Sequence, residues 1–206
     1  MSGNQYIIAS CLVSGNVIYK DGKPVYTDNE AQGATAFLVN AYRHFGMQYP
    51  KFFKMDGLGK LGWLAAELLL QGWEKEKYPA EKIGVVLANA NSSLDTDLKY
   101  YDTVKEMASP ALFVYTLPNI VTGEICIRHK LKGENAFFVA PEFDAAFMQG
   151  YVNDLLHNNV LDACICGWVE LLGEQYKSVL FLVVKEQGQI PFASENMNKT
   201  YHLDNG

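Results

Sequence analysis

The 206 residues are 49% hydrophobic and 19% charged, enough apolar material for one sizeable core and too much for a disordered, collagenous or disulfide-stapled chain. Seventeen Lys and Arg against 23 Asp and Glu leave a formal charge of -6, so no basic field is available to condense on nucleic acid or an anionic membrane. The four cysteines, Cys11, Cys126, Cys164 and Cys166, contain no Cys-x-x-Cys pair and read as buried reduced thiols suited to a cytoplasm.

In chain order, Gln5 to Ser14 is rich in Ile, Val and Ala and predicts a strand, followed by turn material at Ser14-Gly15-Asn16 and Asp21-Gly22-Lys23-Pro24. A polar and aromatic stretch that reads as loop comes next. Leu58 to Trp73 then carries Leu61, Leu64, Ala65, Leu68 and Leu69 at helical spacing. Ile83 to Ala88 is a continuous apolar run of the kind found in strands covered on both faces. Asp95 to Met107 predicts a polar helix, and Ser109-Pro110 opens an apolar segment with Pro at the first helical position. That segment, Ala111 to Ile127, is broken by Pro118, Asn119, Gly123 and Glu124, so it is no membrane span. Asn135 to Ala140 predicts another buried strand, and Glu142 to His157 a helix with Phe143, Phe147, Tyr151 and Leu155 four residues apart. Leu161 to Val169 and Ser178 to Lys185 complete the strands. Strands separated by helices predict a layered α/β fold, αβα, with a mainly parallel mixed sheet in a single domain spanning 1–206.

Gly57-Leu58-Gly59-Lys60-Leu61-Gly62 satisfies the Gly-x-Gly-x-x-Gly pattern of dinucleotide sites. No convincing strand precedes it, and the glycines read better as points of close helix packing. His44, His129, His157 and His202 are scattered without an i, i+4 pair or a Glu-x-x-His partner. They make no metal site, and the sequence implies neither metal nor cofactor.

The stretch from Ser109-Pro110 through Leu117-Pro118-Asn119, Gly123-Glu124-Ile125 and Lys132-Gly133-Glu134-Asn135 resembles the region of beta-ketoacyl synthases that leads into the nucleophile strand. Leu156 to Glu170, with Asp162, Gly167 and Glu170, is similar to the following strand of that family, and Lys54-Met55-Asp56 to its entry helix. The resemblance covers roughly residues 50 to 172 and implies the N-terminal half of a thiolase-like fold. It places the family's nucleophilic cysteine at Glu142, and no histidine here has the neighbourhood of the family's two catalytic imidazoles. A condensing enzyme needs both a thiolate and those imidazoles.

The resemblance therefore implies a catalytically inactive ketosynthase-like subunit of bacterial fatty-acid or polyketide biosynthesis, similar to a truncated chain-length factor of aryl polyene or flexirubin-type pigment clusters. Its expected partners are an active full-length ketosynthase or a second copy, with an acyl carrier protein as a further one. Phe137, Phe138 and Val139 are the expected pairing strand, and Phe113, Tyr115, Phe143 and Phe147 the acyl-tunnel candidates, expected to line the far end of the partner's tunnel or else to be plain core. Two rival readings are a homodimeric scaffold that binds an acyl chain or acyl carrier protein, and an enzyme using Glu142 as general base on a thioester. The second requires Glu142 to be buried beside another polar group. The plainest reading of Glu142 is an acid in the first turn of a helix.

Overall fold

The computed structural model describes residues 5–185 and 188–205. One eight-stranded sheet runs through them, built from β1 (Tyr6–Ser14), β2 (Val17–Lys20), β3 (Lys23–Thr27), β4 (Ile83–Asn89), β5 (Asn135–Val139), β6 (Ala163–Leu172), β7 (Gln175–Val184) and β8 (Ile190–Pro191). Its order is β3-β2-β1-β7-β6-β4-β5, with β8 beside β1. Pairing is parallel only where β4 meets β5 and β6, and antiparallel elsewhere. The sheet is mixed as expected, but its parallel part is confined to these three strands. The reason is connection length: β1, β2 and β3 are joined by tight turns, and tight turns reverse the chain.

Those turns account for the strands the sequence reading passed over. Gly15 and Asn16 take φ of 55° and 62°, and Asp21 and Gly22 take 50° and 76°, which is the left-handed pair that a two-residue hairpin demands. The polar and aromatic stretch read as loop contains α1 (Ala34–His44), which buries Phe37, Leu38, Ala41 and Tyr42. It has no capping residue of its own. Glu174, from the β6–β7 turn, supplies the cap by accepting the Ala34 amide at 2.7 Å.

Helices cover both faces. On one side α2 (Gly57–Leu69) packs across β1, β6 and β7 with α1 and α5 (Ile120–His129) beside it. Leu61, Trp63, Leu64 and Leu68 are buried there. Asp56 caps α2 by accepting the Gly59 amide at 2.8 Å. The Gly-x-Gly-x-x-Gly residues lie within this helix, and a Cβ on Gly62 would stand 2.4 Å from Val121 Cγ2; they are packing glycines. On the other face lie α6 (Ala145–His157) and α7 (Ser194–Tyr201), over Val86, Phe181, Val183 and the thiols of Cys164 and Cys166. The residues α6 buries are Ala145, Met148, Val152 and Leu156. The aromatic line Phe143, Phe147 and Tyr151 is its flank instead, one residue out of phase with the core.

The segment between β4 and β5 forms α3 (Leu94–Val104), α4 (Pro110–Val114) and α5. Ser109 caps α4 with Pro110 at its first position, as expected, and Pro118-Asn119 separates α4 from α5. No helix among the described residues is long and apolar enough to cross a membrane.

Candidate functional site

The central parallel strand β4 leads to β5 on one side and borders β6 on the other, and the two crossovers leave on opposite faces. Crevices for ligands open at the carboxyl ends of strands at such a reversal. Here that end carries three features: the loop 89–93, the β5–α6 junction containing Glu142, and the end of β6 at Glu170.

Glu170 organises the first of these. Its carboxylate accepts the amides of Ala90 (2.6 Å) and Asn91 (3.2 Å) and the Asn91 side-chain amide (3.2 Å). The buried Asn89 closes the loop by exchanging hydrogen bonds with Ser92, which holds φ 52°. Three residues earlier, Gly167 has φ 148°, and a Cβ there would stand 2.0 Å from the Val179 carbonyl. The Gly-x-x-Glu pattern noted in the sequence therefore has two jobs, close approach of β6 to β7 and anchorage of the loop after β4.

Glu142 lies in the bend before α6 and is exposed. It is not in the helix's first turn, because Asp144 takes the cap by accepting the Phe147 amide at 2.8 Å. Glu142, Asp144, Ser194 and Asn198 line an open concavity of ≈ 430 Å³ between the starts of α6 and α7. No cysteine or histidine lines it among the described residues. Its surroundings are acidic: burial first, then the carboxylates of Asp204, Glu170 and Glu142, push the Tyr201 phenol above its usual range. The burial that a general base at Glu142 would need is not present.

The four candidate tunnel residues do not converge. Tyr115 packs against the core under α2 and donates to Glu124 Oε1 at 3.2 Å, while Phe113 is exposed beside Tyr100. Phe143 stacks on Tyr201 across the sheet, in the α6–α7 layer. Phe147 meets Phe138 edge to face at 4.9 Å in that same layer. Tyr115 and Phe143 thus pack in different layers of the fold.

The expected pairing strand is the open end of the sheet, and as an edge it is half-buried rather than buried. β5 has β4 on one side and no described strand on the other, and Asn135 and Val139 are exposed. Val85 donates to the Glu134 carbonyl at 3.1 Å and Ala140 to the Asn89 carbonyl at 2.9 Å. Parallel pairing alternates, so Ala136 and Phe138 turn their peptide groups to β4, and Asn135, Phe137 and Val139 turn theirs outward. Phe137 packs on the α2–α5 side and Phe138 on the α6 side, which leaves Val139, 58% exposed, as the free side chain of the edge.

A second polar cluster lies under α3. Asp56 Oδ2 accepts the Thr96 hydroxyl at 2.7 Å, and Asp95 accepts the Gly173 amide at 2.9 Å and binds Lys99. Burial pushes the Asp56 carboxyl above its ordinary range, against the pull of these hydrogen bonds. These contacts seat α3 through polar side chains. The sequence reading singled out neither residue for that purpose.

This architecture is shared with solved structures of ketosynthases and chain length factors. The chain is similar in structure to the ishigamide ketosynthase/chain length factor, with a TM-score of 0.59 and 19% identity over 88% of this chain and 62% of that one. It is also similar to a ketosynthase in complex with its chain length factor from Xenorhabdus doucetiae (0.59, 12%, 90% of this chain and 80% of that one). A third likeness is to a type II polyketide synthase acyl-carrier protein in complex with its ketosynthase bound to the hexaketide (0.60, 14%, 89% and 63%). The chain thus spans less than two thirds of the ishigamide structure and of the hexaketide-bound one. No family model and no curated protein matches the sequence. Identities this low establish the fold alone.

Proposed function

We propose that this chain is a non-condensing, chain-length-factor-like subunit that pairs with an active ketosynthase in fatty-acid or polyketide assembly, residues 1–206 forming one ketosynthase-like half. The observation that carries the reading is the end of β5. At the position the resemblance gives to the family's thiol, the strand runs into an exposed Glu142 in an acidic concavity that, among the described residues, neither thiol nor imidazole lines. A carboxylate cannot take up an acyl group by thiol exchange, and an acidic mouth repels the malonyl anion.

The open β5 edge supports the partnership. Three outward peptide units on a strand flanked by Phe137 and Phe138 form a ready surface for strand addition. A second copy could occupy that edge, which keeps the homodimeric scaffold as the other reading, and an acyl carrier protein would then approach the assembled pair.

Reconstitution tests the proposal. The chain alone should give no condensation of malonyl and acyl thioesters, and should copurify with its cognate ketosynthase at a 1:1 ratio. Condensation by the chain alone, or a stable monomer in the presence of that ketosynthase, would overturn it.

A further inference from the structure

Helix α3 is turned inside out. The residues it buries are Asp95 and Thr96, whereas Leu94, Leu98, Tyr101 and Val104 are exposed, Leu98 by 56% and Tyr101 by 66%. Leu94, Leu98 and Tyr101 are spaced four and three residues apart, the a/d rhythm of a helix that packs on another helix. Beside it, on α4, Phe113 touches Tyr100 of α3 with ring centres 5.6 Å apart, and Phe113 and Val114 are exposed. Exposed apolar residues clustered in this way mark an interaction site.

The charges beside the seam state what covers it. With Leu94 and Tyr101 at d and Leu98 at a, the flanking e and g positions hold Asp95, Asp97 and Asp102, and Val104 at the last g. Asp95 is turned inward to Lys99 and Gly173. Asp97 accepts from the Ser93 hydroxyl, and no cation pairs with it among the described residues. Asp102 has only the exposed i, i+3 contact with Lys105, a pair of little worth in water. Lys105 in turn lies over the Tyr101 ring at 5.5 Å, so the seam's aromatic face accepts a cation. A second α3 packed on this seam would set Asp97 and Asp102 against like charges. A helix with Lys or Arg at the same flanks would neutralise both.

We propose that α3 is a docking seam for an amphipathic helix of a different chain, apolar along its stripe and basic on both flanks. This stands apart from the β5 edge and from the identity of the ketosynthase partner: it concerns one helix and the chemistry that pairs with it.

The test uses the full chain and synthetic helical peptides of three heptads, with Leu at a and d and either Lys or Glu at e and g, read by fluorescence anisotropy. The Lys peptide should bind at least tenfold more tightly than the Glu peptide, and more tightly than a scrambled Lys peptide of equal charge. Leu98→Asp should weaken it at least tenfold with the melting temperature unchanged, since that side chain is exposed. The double variant Asp97→Lys with Asp102→Lys should reverse the preference in favour of the Glu peptide. Equal binding of the ordered and scrambled Lys peptides, indifference to Leu98→Asp, no binding at all, or a self-association of the chain that Leu98→Asp abolishes would each overturn the proposal.

Discussion

Replacing Val139 by proline isolates the β5 edge from the fold that carries it. The Val139 peptide N–H points away from β4, and its side chain is 58% exposed, so the chain itself loses neither a ladder bond nor a buried contact. Proline also asks the preceding residue to be extended, which Phe138 already is within β5. The expected change in folding stability is about 0.5 kcal/mol. In a strand-paired complex the same substitution removes one hydrogen bond, about 1 kcal/mol net, and strands the partner's carbonyl, a further ~1–3 kcal/mol. Together these weaken association by roughly 2–4 kcal/mol, or about 30- to 700-fold at ~1.4 kcal/mol per decade. Phe138→Pro is the contrast, because its N–H turns to β4 and its ring packs against Phe147 and Tyr151; it should lower the melting temperature sharply instead. Sedimentation of the chain with its ketosynthase, together with thermal melts of both variants, reads the two effects separately. A Val139→Pro chain that binds as tightly as the unmodified one would refute edge pairing, and with it the argument from peptide alternation.

Other outcomes follow from the same geometry. Glu142→Cys should not create condensing activity in a malonyl-thioester assay, because neither imidazole nor thiol otherwise lines the concavity. Gly62→Ala should destabilise by about 1–3 kcal/mol in urea denaturation, as its Cβ would press on Val121 at 2.4 Å between α2 and α5. Glu67 accepts two bonds from Arg128, at 2.7 and 3.1 Å, and lies 3.0 Å from His129. Burial alone would raise its carboxyl, but these partners outweigh it and hold it at about 2, below its ordinary 4.5. The pair therefore stabilises the fold above pH 4.5, and this stabilisation is lost as pH falls toward 2. Glu67→Gln should cost ~2 kcal/mol at neutral pH and flatten the acid limb of a stability–pH curve.

How much of this was written in the sequence depends on the range of the interaction. Apolar runs and short-range punctuation determined β1, β4, β6, β7, α2 and α6, because a strand buried on both faces, or a helix with one buried face, must show it in composition. The Ser109-Pro110 start of α4 was equally local. The exchange of thiol for Glu142 was legible as a single residue read against a resemblance. The hairpin β2–β3 carried its signal at Asp21-Gly22, where the turn was recognised without the two short strands it joins.

Other features depended on residues far apart in the chain. α1 is capped by Glu174, 140 residues away, and no local pattern announces a borrowed cap. The strand direction around β7 followed from tight turns rather than from apolar runs, which look alike in parallel and antiparallel strands. Apolar composition read Asn135 to Ala140 as a buried strand, since side-chain alternation describes faces and not neighbours; its role as a pairing edge came from the resemblance alone. Only the assembled sheet decided that Tyr115 and Phe143 pack in different layers, and that α3 is seated by Asp56 and Asp95. The last of these turned its leucines outward, because two buried carboxylates with partners hold a helix in place more firmly than a few apolar side chains that no other element reaches.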